Sequence, residues 1–309
     1  MKRVAHTAEM PESVASLIGS VFGLRHAPLR GRPIGEFLTD MEDVSALIVA
    51  PGDPVDAACI AELPKSIKLI ASYSTGLDHV DVEAAQRRGI PVSNTPDVLT
   101  DATADIAMLL ILSAVRGAGD AERMLRMGDW KGWTPHQIFG SDLAGRVLGI
   151  AGPGRIGAAT ALRAAAFGMR LVYWGRRQSE AMNGLGAKPL LDLDAFLEAV
   201  DVISLHLPST PWTRRFINER TISAMRKGAV VVNTARGDLV DDEALIAALH
   251  DGRIGGAGLD VFEGEPALHP GYLTAPHVTL LPHIGSATHE TRLAMGRSVF
   301  SSLQQHLCG

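Results

Sequence analysis

A chain of 309 residues is too long for one ordinary hydrophobic core, so two domains are expected. Hydrophobic content of 46% against 20% charged residues describes a well-folded globular protein, and a net charge of −5 argues against the clustered basic face of a nucleic-acid binder. No stretch reaches the ~18 uninterrupted apolar residues of a membrane span, the first nine residues lack the apolar run of a signal peptide, and Cys59 and Cys308 match no metal-ligand spacing; the cytoplasm is the expected compartment.

Over the first hundred residues short apolar runs alternate with helical stretches. Residues 1–7 form a short, polar first strand. Residues 46–50 and 69–73 predict buried parallel strands, and 90–93 a shorter one. The turn clusters Pro51-Gly52-Asp53 and Ser74-Thr75-Gly76 follow two of these strands, at the edge where open α/β sheets bind ligands. Helical spacing covers 101–115. From Arg116 to Arg146 the pattern loosens, and residues 128–135 form a Gly-bearing loop with Trp130 and Trp133. A second series then predicts strands at 147–151, 170–174, 202–206, 229–233, 257–260 and 278–281. Helices are predicted at 191–200 and 241–250, the latter with an acidic start and Gly252 at its end. Residues 287–306 read as a final amphipathic helix. Repeated strand–helix alternation implies doubly wound parallel sheets.

The run Gly149-Ile150-Ala151-Gly152-Pro153-Gly154-Arg155-Ile156-Gly157 carries a strand into GxGxxG and an Ala-rich helix. Gly152 permits the tight turn, Gly154 lets backbone approach a pyrophosphate, and Gly157 lets the helix pack on the sheet. The helix N-terminus offers its N–H groups to phosphate. About 20 residues on, an NAD site usually places an acid on the ribose hydroxyl. Here Gly175-Arg176-Arg177 stands after the strand instead. Without the acid nothing repels a 2′-phosphate, and the guanidinium groups can bind one, so NADP(H) is the expected cofactor, with NAD(H) the alternative.

Three later segments each put a charged or titratable residue just past an apolar strand: Asn233-Thr234-Ala235-Arg236-Gly237, then Asp260 through Glu265-Pro266, then Pro282-His283-Ile284-Gly285. Reduction of a 2-keto acid needs a fixed cation for the carboxylate and carbonyl, which Arg236 can supply. It needs a proton donor for the forming alkoxide, a role suited to His283, and an acid to orient that imidazole, a role suited to Glu265.

Together with Leu99–Asp105 and His206-Leu207-Pro208, these segments resemble the D-isomer-specific 2-hydroxyacid dehydrogenase family over nearly the whole chain. The resemblance implies that Arg236 binds substrate, that Glu265 pairs with His283, and that His283 is the acid/base. It places Asp260 at the nicotinamide carboxamide. It assigns Thr103, His206, Pro208, Thr213, Thr234, Ala235 and Gly285 to the cofactor cleft, beside Arg155, Ile156 and the glycine loop. It gives the substrate carboxylate to the backbone of Ser74, Thr75 and Gly76. It further implies a Rossmann cofactor domain (99–285) inserted into a flavodoxin-like substrate domain (1–98 and 286–309), with 116–146 as the arm of a homodimer. Gly175-Arg176-Arg177 and Trp130/Trp133 most resemble the NADPH-dependent glyoxylate/hydroxypyruvate reductases of this family, in which an arm Trp can shape the neighbouring subunit's site. Two other functions fit the same residues: NAD-linked oxidation of a larger D-2-hydroxy acid, and non-enzymatic dinucleotide sensing, as in the corepressors built on this scaffold. The long disordered flanks that would recruit a corepressor's partners are missing.

Overall fold

Short runs of Val, Ile, Leu and Ala form parallel strands in the computed structural model, which describes residues 2–308. The chain divides into two units, Met1–Leu99 with Ser286–Gly309, and Thr100–Gly285 inserted between them in sequence.

The first unit holds β1 (Arg3–His6), β2 (Gly23–His26), β3 (Val44–Val49), β4 (Ile70–Ser72) and β5 (Val92–Ser93), all parallel in the order β2-β1-β3-β4-β5. This is the flavodoxin-like order. Side chains alternate between two cores along β3. Leu47 and Val49 pack with Phe37, Ile60 and Ala84, from helices Ile34–Thr39, Ala57–Glu62 and Val82–Arg87. Ala46 and Ile48 face Val14 and Ile18 of helix Glu12–Gly19, and Val299 and Leu303 of helix His289–Cys308. A sheet covered on both faces needs strands that are apolar on both sides, which is why these segments read as continuous apolar runs.

The second unit holds β6 (Val147–Ala151), β7 (Arg170–Trp174), β8 (Lys188–Pro189), β9 (Val202–Leu205), β10 (Ala229–Asn233), β11 (Ile254–Leu259) and β12 (Val278–Leu280). Their order is β12-β11-β10-β9-β6-β7-β8. The chain winds outward from β6 to β8, then returns to place β9 on the other side of β6. That reversal makes the end of β6 a topological switch point. Ala151 is in register with Trp174 on one side and Leu205 on the other, so the loops after β7, β6 and β9 leave the sheet side by side. Helices Thr100–Arg116 and Arg155–Ala166 cover one face through Leu110, Ile111, Ala161 and Ala164. Helices Leu193–Ala199, Glu219–Ala224 and Asp242–His250 cover the other through Phe196, Ile222 and Leu245. Each of these last three starts at a side-chain cap, Asp192, Asn218 or Asp241, that accepts a backbone N–H of the first turn.

The expected strands and helices form, with ends shifted by a few residues, and helices Glu180–Gly184 and Glu219–Ala224 form beyond them; two strands and one more helix also lack a clear sequence signal. Strand β2 is only half-buried and carries Arg25 and His26, and β8 is two residues long and contains a proline. Helix Ala118–Arg126 falls in the segment where the pattern loosens. Its apolar residues Ala118, Ala121, Met124 and Leu125 share one face, but none of its residues is buried. The polar first strand lies inside its sheet, between β2 and β3, and Val4 and Ala5, both fully buried, supply its two faces. Residues 127–146 contain neither helix nor strand. Among the described residues no single helix is long and apolar enough to cross a membrane; helices Thr100–Arg116 and Ala118–Arg126 pass that test only as a pair bent by 73°.

Candidate active site

The glycine loop lies at the switch point of the second unit. Gly152 takes a φ of +96°, and a Cβ there would sit 2.6 Å from His206 O, so the loop after β6 presses against the loop after β9. Gly154 begins helix Arg155–Ala166, and nothing lies within 4 Å of where its Cβ would be. The space in front of the helix N-terminus is thus open because this residue has no side chain. A group with two phosphates would meet backbone and helix dipole there without obstruction. Beside it, Gly175 packs on Pro153, with the Cβ position 2.6 Å from Pro153 Cδ. Arg176 and Arg177 follow, both exposed.

On the β9 side, His206 holds Ser204 Oγ at 2.9 Å through Nε2. Burial pushes the His206 imidazole down to about 4, so it is neutral at ordinary pH. Thr213 Oγ1 donates to Pro208 O at 2.6 Å and receives Thr210 N–H at 2.9 Å, closing the loop that carries both. At the end of β10, Thr234 Oγ1 is buried without a partner among the described residues, a hydroxyl such as a ligand would satisfy. The open cradle at Gly154, the exposed arginines and this hydroxyl fit a nicotinamide dinucleotide laid across the strand ends.

Next to this cradle the three downstream segments converge. Asn233 is fully buried and shapes the turn after β10: its Nδ2 donates to Arg236 O at 2.7 Å, and its Oδ1 accepts Ala235 N–H at 3.0 Å. Arg236 follows in extended backbone, with Nη1 donating to Ala235 O at 2.7 Å. A Cβ on Gly237 would lie 1.8 Å from Phe262 C, so only glycine lets the β10 and β11 loops touch here. Glu265, before a cis proline, accepts Phe262 N–H on Oε1 at 2.8 Å and meets His283 Nδ1 with Oε2 at 2.7 Å. Burial pushes the Glu265 carboxyl up. The hydrogen bonds from His283 and Phe262, with the charges of His283 and Arg236, outweigh it and hold the group below its ordinary range.

His283 has a φ of +54°, a left-handed conformation uncommon for a non-glycine residue. Asp260 holds it there. Its backbone O accepts His283 N–H at 2.8 Å, and its carboxylate oxygens accept Ile284 and Gly285 N–H, each at 2.8 Å. Burial raises the Asp260 carboxyl in spite of those bonds. Thr103, on helix Thr100–Arg116, closes the back of this turn by donating to Gly285 O at 3.2 Å.

The structure therefore brings Arg236, Glu265, His283, Asp260, Thr103 and Gly285 together, and places the glycine loop, Gly175–Arg177, His206–Thr213 and Thr234–Ala235 along the same sheet edge. Ser74, Thr75 and Gly76 belong to the other unit, past the end of β4. All three of their carbonyls are tied: Ser74 O to Thr95 N–H (2.9 Å), Thr75 O to Asn94 Nδ2 (2.7 Å) and Gly76 O to Ser74 Oγ (2.7 Å). None of their three N–H groups has a partner among the described residues. The sequence reading assigned no role to Asn233, Asn94 or Thr95, though a polar residue ending a buried strand is a signal that could have marked Asn233.

A Rossmann-type sheet with an open glycine cradle, beside a paired imidazole and carboxylate, defines a dinucleotide-dependent oxidoreductase. Residues 108–285 match the model described as D-isomer specific 2-hydroxyacid dehydrogenase, NAD binding domain. The chain is 42% identical to a glyoxylate reductase of Thermococcus litoralis over 97% of its own length and 92% of that protein, and 40% identical to a glycerate dehydrogenase of Hyphomicrobium methylovorum over 94% and 91%. It superposes with a TM-score of 0.86 on a crystal structure of an NADPH-dependent glyoxylate/hydroxypyruvate reductase from Sinorhizobium meliloti in complex with NADP and malonate, at 36% identity, covering 99% of this chain and 94% of that one. The chain belongs to the D-isomer specific 2-hydroxyacid dehydrogenase family and is an NAD(P)-dependent enzyme of that family.

Proposed function

We propose that the enzyme reduces a small 2-keto acid, glyoxylate or hydroxypyruvate, with NADPH as the preferred donor. The observation that carries this reading is the 2.7 Å contact of Glu265 with His283 Nδ1, on a loop that also feels the charge of Arg236. The bound dinucleotide supplies hydride to the carbonyl carbon. Arg236 draws charge onto the carbonyl oxygen with its planar fork. His283 delivers a proton to that oxygen from Nε2, while Glu265 keeps Nδ1–H oriented and stabilises the charged ring. The untied N–H groups of Ser74, Thr75 and Gly76 suit the substrate carboxylate, since three donors with no acceptor of their own favour an anion.

Asp260, Thr103 and Gly285 hold the imidazole turn, and Asp260 is also our candidate for the nicotinamide carboxamide. Arg176 and Arg177 carry the cofactor preference, standing where an acid would repel a 2′-phosphate. The glyoxylate reductase relatives and the NADP-bound structural neighbour support the same substrate and cofactor. Large apolar side chains stand exposed along 125–139: Leu125, Met127, Trp130, Trp133 and Phe139. We assign them to the arm of a homodimer, because a patch of this kind needs a cover. Two free cysteines, Cys59 and Cys308, suit the cytoplasm as its compartment.

The test is loss of reduced-nicotinamide absorbance with NADPH or NADH against glyoxylate, hydroxypyruvate, pyruvate and phenylpyruvate in turn. Fastest turnover with NADPH and one of the first two acids is expected. A preference for NADH and phenylpyruvate would favour oxidation of a larger hydroxy acid instead. Tight cofactor binding with no turnover of any acid would favour a sensor.

A further inference from the structure

Ser74 Oγ donates to Gly76 O at 2.7 Å. A serine hydroxyl carries one proton, so in its 2.8 Å bond with Ser72 Oγ it must accept. Ser72 then donates to Ser74 and has no proton left for His79, whose Nε2 lies 3.1 Å from the same oxygen. The proton in that last bond therefore belongs to His79. The bonds form a one-way chain, from His79 Nε2–H to Ser72, to Ser74, to Gly76 O.

Ser72 is fully buried and Ser74 nearly so, which denies the chain the option of trading partners with water. Its starting point is fixed as well. Val55 N–H donates to His79 O at 3.0 Å and Asp81 N–H to Val55 O at 2.9 Å, a short parallel bridge that pins the backbone on both sides of Val80.

We propose that His79 is a positioning residue for substrate: through Ser72 and Ser74 it anchors the Gly76 carbonyl, and so holds the Ser74–Gly76 loop whose N–H groups are offered to the keto-acid carboxylate. The proposal rests on the reading of Ser74, Thr75 and Gly76 as the carboxylate site. The role assigned to His79 is to aim the loop that binds the carboxylate, so its loss is expected to weaken substrate binding and leave the chemical step intact.

Two measurements test it. In the wild-type protein, nitrogen-15 NMR of the histidine rings should find the His79 proton on Nε2; a bare Nε2 overturns the chain. In kinetics with glyoxylate and NADPH, His79→Leu removes the donor and should raise KM about 5- to 20-fold, the loss of roughly one well-made hydrogen bond. kcat and the NADPH dissociation constant should stay within about twofold, and His79→Gln, which keeps an N–H donor, should recover most of the loss. An unchanged KM, or a fall shared equally by kcat and cofactor binding, overturns the proposal. Failure of the underlying reading looks different: the wild-type enzyme would itself show no saturation by glyoxylate, whatever stands at position 79.

Discussion

Replacing Glu265 by glutamine asks one side chain to do a job for which it has one acceptor too few. Glu265 takes Phe262 N–H on one oxygen and His283 Nδ1 on the other, at 2.8 and 2.7 Å. A glutamine has a single acceptor oxygen, so either the backbone donor or the imidazole donor faces an NH2 group. A hydrogen bond to a charged group is worth about 1.5–3 kcal/mol. The His283 and Glu265 side chains are 38% and 32% exposed, so water recovers part of that, and the lower end of about 1.5–2 kcal/mol applies. If the pair matters chiefly when the imidazole carries charge, that deficit falls on the transition state and predicts a kcat/KM lower by about 10- to 30-fold. The assay is steady-state NADPH oxidation with glyoxylate or hydroxypyruvate, alongside a fluorescence titration of NADPH, whose affinity should not change. A Glu265→Gln enzyme within twofold of wild type would show that the contact does not assist proton transfer.

His283→Ala should lose about 10²- to 10⁴-fold in turnover while binding cofactor normally, and full activity would mean a different proton donor. Arg176→Ser combined with Arg177→Glu should lower the preference for NADPH over NADH by at least about tenfold; an unchanged ratio would place 2′-phosphate recognition elsewhere. His206 predicts a pH effect on stability. Its folded value of about 4 lies below the usual 6.5, so between these limits the unfolded chain binds the extra proton and stability falls as pH drops. At about pH 5 the loss is on the order of 2 kcal/mol, and denaturant melts should find it in the wild type and not in His206→Asn.

What the sequence makes legible follows the physics of each element. A strand buried on both faces, such as β10, shows an unbroken apolar run, Ala229–Val232, closed by Asn233, and is found with its correct ends. An edge strand such as β2 has one neighbour and one open flank, so Gly23, Arg25 and His26 are tolerated and the pattern dissolves. Helix Asp242–His250 announces itself by Asp241 and Gly252, while Ala118–Arg126 follows Gly117 with no capping side chain and buries nothing, so its short apolar face is easily passed over. The strand order is not in any one segment. It lies in long-range pairings such as β6 with β9, across which Ala151 meets Leu205.

The site divides along the same line. Arg236, Glu265 and His283 each lie in the loop that follows an apolar strand, and an ionisable side chain at the ligand-binding edge of a parallel sheet needs a reason to be there. None is telling alone; the three together, in this order past successive strands, mark the site. What holds them is written through space. Asp260 reads in sequence as a ligand contact, yet its backbone oxygen and both carboxylate oxygens are engaged by the His283–Gly285 turn. It is this engagement that sustains a left-handed histidine. Gly237 reads as one more turn residue, and only its contact with Phe262 shows that any side chain there would push the arginine loop away from the glutamate loop. The same holds for Ser72 and His79, seven residues apart and unremarkable in sequence until the single proton on each hydroxyl is counted. Reactive groups can be recognised by type and place, whereas the groups that aim them are recognised by hydrogen-bond direction, and a substitution that respects type while reversing a donor should cost the enzyme more than its chemical similarity suggests.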